Sequence, residues 1–157
     1  MGAIIRRASR ADVDQLAMLW KELAEFHSSL APEFVPALGS EKYLADHFAE
    51  LIGMDRVRIF VADEEGTLIG FVSGKLHENP PAFLVRQVGF IDDAMVTARS
   101  RRCGVGEQLV NALMAWFRER KAQVVHLNAA TSNPAAQAFW HKMGFVDVMT
   151  RMRREVE

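Results

Sequence analysis

The most constraining stretch of this chain is "FIDDAMVTARSRRCGVGEQLV", residues 90–110. A strand-like run ends at Thr97. Three arginines and two glycines crowd the next positions, and an apolar-periodic helix then begins. The first N–H groups of a helix have no intrahelical acceptor. The helix dipole adds partial positive charge at the same end. Together they make an anion site suited to phosphate. Gly104 and Gly106 clear two side chains from the path of an approaching anion. Arg99, Arg101 and Arg102 add charge and bidentate donors. The stretch therefore predicts a strand–loop–helix unit that holds a phosphate or pyrophosphate. A nucleotide-triphosphate loop needs Lys followed by Ser or Thr after its last glycine, and here Gly106 precedes Glu107 and Gln108. The dinucleotide fingerprint needs a third glycine where Leu109 stands.

The rest of the pattern supplies the frame. "AIIRRA" (3–8) reads as a short strand. Ser9 opens a capping box with Asp12, and apolar residues then recur at steps of three and four to Leu30. Residues 31–40 form a Pro- and Gly-containing loop. Ser40 can cap a second helix that Gly53 stops. "VRIFVA" (57–62) and "TLIGFVSGKL" (67–76) flank a short Gly-containing turn, which predicts a hairpin. A third strand covers 86–97. The next helix carries a stripe of Val105, Leu109, Leu113, Trp116 and Phe117. "AQVVHLNAA" is a strand and "NPAAQAFWHKMG" a short helix with Pro134 in its first turn. "FVDVMTRMRREV" (145–156) reads as a last strand. The order β-α-α-β-β-β-α-β-α-β predicts an α+β domain around a mixed sheet.

With 157 residues the expected organisation is one domain over 1–157. A net charge of −1 argues against a nucleic-acid domain built on a broad basic face. The one cysteine, Cys103, excludes an intrachain disulfide framework, and the scattered histidines form no metal-binding pair. The start "MGAIIRRAS" lacks the apolar run of a secretory signal, and no run is long enough to span a bilayer. The expected location is the cytoplasm, with no membrane, nucleic-acid or metal partner.

Arg101-x-x-Gly104-x-Gly106 matches the Arg/Gln-x-x-Gly-x-Gly/Ala loop of the GNAT superfamily of N-acetyltransferases. The opening strand and helix resemble that superfamily's own. Asn133, Ala136, Phe139, Trp140, Lys142, Gly144 and Phe145 resemble its second cofactor segment, Asn-x-x-Ala-x-x-Phe-Tyr-x-Lys-x-Gly-Phe. The resemblance implies a mixed, mostly antiparallel sheet of about six strands flanked by four helices, with its fourth and fifth strands splayed. It implies acetyl-CoA in that splay. The pantetheine arm would pair with the backbone near Met95 and Val96. The pyrophosphate would take N–H groups from Arg101, Arg102, Cys103, Gly104, Val105, Gly106 and Glu107. Asn133 and Trp140 would lie along the cofactor. The reaction implied is direct acetyl transfer to a primary amine.

Direct transfer needs a neutral amine, hence a base. Asp92 and Asp93 are the candidates, on the strand beside the cofactor. Neighbouring strand residues face opposite ways, so one of the two reaches the cleft, and Asp92 is preferred. Glu33, Glu78, Asp92 and Asp93 together suggest a cationic acceptor. Trp140 departs from the superfamily's tyrosine. An indole cannot act as an acid near neutral pH, so packing against the core is its expected role. That departure leaves a second reading, a non-catalytic acyl-CoA-binding module. Cys103 reads as a small residue in a tight loop, since its thiol would face pyrophosphate and not thioester. The apolar face of the last strand allows a homodimer.

Overall fold

The computed structural model describes residues 2–156. Strand β1 (Ile4–Arg7) leads through a 3-10 turn at Arg10–Asp12 into helix α1 (Val13–Ser28), and α2 (Glu41–Gly53) follows. Strands β2 (Val57–Glu64), β3 (Thr67–Glu78) and β4 (Gln87–Val96) come next. Helix α3 (Val105–Glu119), strand β5 (Val124–Leu127) and helix α4 (Pro134–Lys142) complete the fold. The sheet order is β1-β2-β3-β4-β5. Every pair is antiparallel except β4 with β5, which is parallel and joined by α3. This is the mixed, mostly antiparallel sheet expected, with five strands in place of about six.

The local chemistry explains the elements. Glu65 and Gly66 both have positive φ, 52° and 87°. Two such residues make the tight turn whose twist suits a two-residue hairpin. Ser9 and Asp12 form the expected capping box: the Ser9 amide donates to Asp12 Oδ2 at 2.7 Å and the hydroxyl at 3.1 Å. Ser40 precedes α2 as expected, but its hydroxyl makes no cap bond. Its helix-like backbone (φ −72°, ψ −9°) lacks the extended form in which a capping side chain reaches back to the helix amides.

Two apolar layers sandwich the sheet. On one face, α1 and α2 bring Leu16, Leu19 and Phe48 onto Phe71 and Met95. On the other, α3 buries its whole predicted stripe: Val105, Leu109, Leu113, Trp116 and Phe117. Each such side chain contributes about 2 kcal/mol by leaving water. The α3 face fits closely because β3 and β4 offer glycines beneath it. A Cβ on Gly74 or Gly89 would stand 2.8 Å from the Phe117 ring.

The segment 145–156 corrects the expected sixth strand. Its sequence alternates as a strand should, but among the described residues it joins no ladder of the sheet. Val146, Val148, Met152 and Val156 remain exposed. Arg153 instead approaches Glu33 at 3.6 Å, and Asp147 pairs with His141 at 2.8 Å. No helix is long and apolar enough to cross a membrane.

Candidate active site

The site begins where the sheet opens. β4 pairs with β5 only from Val88 to Ile91. β4 then runs on to Val96, so residues 92–96, including Met95 and Val96, keep a main-chain edge with no β5 partner. Such an edge accepts an extended ligand as an added strand.

The loop beyond that edge is shaped by backbone conformation. Arg101 Nε donates to the Val96 carbonyl at 2.9 Å and straps the loop to the end of β4. Arg102 has φ +63° and Gly104 φ +79°. Closely spaced left-handed residues are how a main chain makes an N–H-lined concavity for anions. Gly104 also occupies the cap position of α3, where no side chain competes for the free amides of Val105, Gly106 and Glu107. A Cβ on Gly106 would meet Phe139 and Val96 at ordinary contact distances, 3.5 and 3.7 Å. Internal packing therefore does not demand a glycine at 106. These features fit CoA: a strand edge for the pantetheine and an amide-lined, arginine-flanked loop for the pyrophosphate.

α4 closes the same end. Asn133 Oδ1 accepts from the Ala136 amide at 3.1 Å and so caps α4. The Lys142 ammonium pairs with the Glu107 carboxylate and ties α4 to the first turn of α3. Trp140 stands edge-on between Phe139 and Phe145, with ring centroids 5.0 and 5.4 Å away. It packs against the α3 core, as its expected role requires. Cys103 is exposed, its Sγ 3.5 Å from the Arg101 carbonyl.

The two aspartates occupy unlike environments. Ser73 on β3 lies opposite Asp93, yet Gly74 lies opposite Ile91. Asp92 is thus the extra residue of a bulge. The bulge breaks the alternation of β4. Ile91 packs on the α3 side, while Met95, two residues past Asp93, packs on the α1–α2 side. Asp92 turns to the exposed flank, where Lys75 Nζ donates to it at 2.8 Å. Asp93 is half-buried and accepts from the Ser73 hydroxyl at 3.2 Å. Burial pushes its carboxyl up to about 6, with the Asp92 charge adding to the rise. The Ser73 hydroxyl, the Trp20 indole and His47 oppose it.

Of the four carboxylates expected to attract a cation, three already hold one. Glu33 faces Arg153, Glu78 pairs with Arg86 at 2.6 Å, and Asp92 pairs with Lys75. Asp93 has no ion-pair partner among the described residues. Trp20, Ser73 and His47 were not identifiable as its neighbours from sequence. The hairpin alternation puts Ser73 on one face of β3, but only the bulge decides which aspartate joins it.

The model of the acetyltransferase (GNAT) family matches residues 20–145. This chain belongs to the GNAT acetyltransferase family. Among GNAT proteins, the L-2,4-diaminobutyric acid acetyltransferase of Virgibacillus pantothenticus is 34% identical over 77 residues. That match covers 49% of this chain and 45% of the relative, so it spans less than half of the relative's length. A tetramutant of the BH1408 protein from Bacillus halodurans superposes with a TM-score of 0.87 at 20% identity, covering 98% of this chain and 99% of that one. An aminoglycoside N-acetyltransferase in complex with CoA superposes with a TM-score of 0.80 at 19% identity, covering 99% and 97%. At these identities the likeness is one of fold.

Proposed function

We propose that this GNAT protein is an N-acetyltransferase that uses acetyl-CoA to acetylate a primary amine. The observation that carries the reading is the unpaired edge of β4 at 92–96, flanked at one end by the amide-lined loop and bearing Asp93. In this reading the β4 main chain near Met95 and Val96 holds the pantetheine. Residues 101–107 hold the pyrophosphate. When bound, acetyl-CoA supplies an activated thioester.

The chain's own contribution is to place and deprotonate the amine. Asp93, and not the sequence-preferred Asp92, is the base we propose. Its elevated affinity for a proton makes acceptance about a hundredfold more favourable than at an ordinary carboxylate. It is also free of a competing cation, whereas Asp92 would first have to release Lys75. Trp140 serves packing, and the thiolate leaves without an acid from this position. A thiol of pKa ~8.5 is a fair leaving group.

The acceptor we propose is a small cationic amine. The diaminobutyrate and aminoglycoside relatives carry several amines in their named substrates, and one uncompensated carboxylate in the cleft suits such a cation. The test is to incubate the protein with acetyl-CoA and a panel of diamino acids, polyamines and aminoglycosides, and to follow free thiol. Thiol release with at least one amine is expected. Tight acetyl-CoA binding with no release across the panel would favour the non-catalytic module. No thermal stabilisation by saturating acetyl-CoA would refute both.

A further inference from the structure

The sheet has two outer strands, β1 and β5, and they are unlike. β1 carries Arg6 and Arg7, and Arg6 is tied to Asp12 and Asp63 at 2.8 and 2.9 Å. Charged side chains of this kind keep an outer strand from pairing with other chains. β5 is "VVHL" and holds no Lys, Arg, Asp or Glu. One of its edges pairs with β4, and among the described residues no strand lies along the other. Val125 and Leu127 pack against the α3 core, while Val124 and His126 face the exposed side. The free edge of β5 is thus a row of main-chain donors and acceptors with an apolar layer already behind it.

The surface beside that edge is apolar too. The loop between β3 and β4 presents Phe83 and Leu84 to solvent, 59% and 98% exposed. The loop is held in shape: Asn79 Nδ2 donates to the Val85 carbonyl at 3.0 Å, and Arg86 Nε donates to the Asn79 carbonyl at 2.9 Å. The Arg86 and Gln87 amides both donate to Gln123 Oε1, at 2.8 and 3.2 Å, which seats the loop next to the start of β5.

The chain also carries the complement of this edge. In 145–156 the even positions hold Val146, Val148, Thr150, Met152 and Val156, with Arg154 among them. The odd positions from 147 include Asp147, Arg151, Arg153 and Glu155. As a strand it would have one apolar and one charged face. That suits an edge with one covered layer and one open one. Within its own chain the segment makes surface ion pairs, Asp147 with His141 and Arg153 with Glu33. Such pairs hold a segment only weakly. Twelve residues of open chain expose ~1,900 Å², at ~160 Å² each. Burying half of that in each of two copies already exceeds the ~1,600 Å² of a stable interface.

We propose that two copies of this chain form a dimer by exchanging residues 145–156, each segment lying along the free edge of the partner's β5. Its apolar face extends the layer of Val125 and Leu127, and the loop at 83–84 packs beside it. The occupant is a second copy because each chain offers both halves of the contact. A two-fold exchange satisfies both edges and both segments and closes on itself. A different protein on the edge would leave the segment bare.

The experiments read association, not acetyl transfer. Sedimentation equilibrium of the full chain at micromolar concentration should give twice the monomer mass. Val148→Asp and Met152→Asp stand at positions already exposed in the single chain and should raise the dimer Kd at least tenfold. Leu38→Asp, an exposed apolar residue between α1 and α2, should leave it unchanged. Circular dichroism checks the fold of each variant. The place of the contact is read by cross-linking in a Cys103→Ser background. Chains with His126→Cys are unfolded and refolded together with chains bearing Met149→Cys or Arg151→Cys, then mildly oxidised. A disulfide between the two kinds of chain is expected. A monomer at every concentration, an open-ended polymer, equal weakening by Leu38→Asp, or no mixed disulfide with either variant would each overturn the proposal. So would a disulfide formed within a single chain bearing both His126→Cys and Met149→Cys, which would mean that the segment folds onto its own β5.

Discussion

Asp93 accepts a hydrogen bond from the Ser73 hydroxyl at 3.2 Å, across the one irregular step of the β3–β4 ladder. Its neighbour Asp92 points the other way, to Lys75. With the Asp93 carboxyl near 6, the proton-accepting form dominates above that pH and is lost below it. The kcat/KM for acetyl transfer is therefore expected to fall about tenfold per pH unit below 6. Asp93→Asn should cost ~10²- to 10⁴-fold and abolish that acid limb. Asp92→Asn should stay within a few fold. An acid limb that survives in Asp93→Asn would remove Asp93 from the role of base.

The same carboxyl should destabilise the fold at neutral pH. Its folded value, about 6, lies above the ordinary 3.8. Its stabilising contribution is thus fully present below about pH 4 and is lost as pH rises through 6. At pH 8 the loss approaches about 3 kcal/mol, one pH unit being worth about 1.4 kcal/mol. Asp93→Asn is expected to unfold at higher denaturant than wild type at pH 8, with the difference shrinking by pH 4. A pH-independent difference would contradict the linkage.

The two loop glycines should separate by assay. Gly104→Ala places a Cβ no nearer than 3.9 Å to its first neighbour, Gln108 Nε2, but on a backbone of φ +79°, so it should lower stability by about 1 kcal/mol. Gly106→Ala meets its neighbours at ordinary distances and should leave the melting temperature nearly unchanged. Its expected effect is on the ligand, a Kd for CoA raised at least tenfold. Unaltered CoA affinity in Gly106→Ala would place the pyrophosphate elsewhere.

Gly89 and Phe117 should behave as a coupled pair. The added methyl of Gly89→Ala would stand 2.8 Å from the ring, against a fully packed core. A cost of about 1–3 kcal/mol is expected in chemical denaturation. In the Phe117→Leu background the cost should shrink, giving a favourable coupling in the double-mutant cycle. Additive effects would mean that the ring is not what the methyl meets.

Asp12 is the acid-sensitive post of the first connection. It receives Arg6 Nη1 at 2.9 Å and Nη2 at 2.8 Å, and the Ser9 amide at 2.7 Å. The Arg6 bonds, then those from Ser9, outweigh burial and hold its carboxyl at about 2. Its stabilisation is complete above about pH 4 and is lost as pH falls through 2. Asp12→Asn should lower stability by about 2 kcal/mol at pH 7 and by little near pH 2. An equal loss at both pH values would point to packing.

Much of this was legible in the residues. The α3 stripe, the hairpin turn and the Arg101–Gly106 loop depend on local spacing, and each lies where that spacing puts it. Three features depend on something non-local. The segment 145–156 alternates like a strand, but a strand needs a neighbour, and alternation says nothing of one. Ser40 has a capping side chain, but its backbone is already helical. The Asp92–Asp93 choice turned on a bulge, which inserts one residue and reverses the facing of all that precede it. No residue type in "FIDDAM" announces that insertion.

The splay of β4 from β5 carries one more implication. A slot built from main-chain N–H and C=O groups is indifferent to most side-chain replacement along it. Met95 and Val96 answer instead to their packing, Met95 beneath α1 and α2 and Val96 against the α3 layer, so apolar replacements of similar volume should be tolerated there and polar ones not. Constraint concentrates where the backbone must bend, at Gly104 and the bulge. If this edge holds acetyl-CoA as proposed, evolutionary change of the acceptor can proceed around it with the grip on the common donor intact.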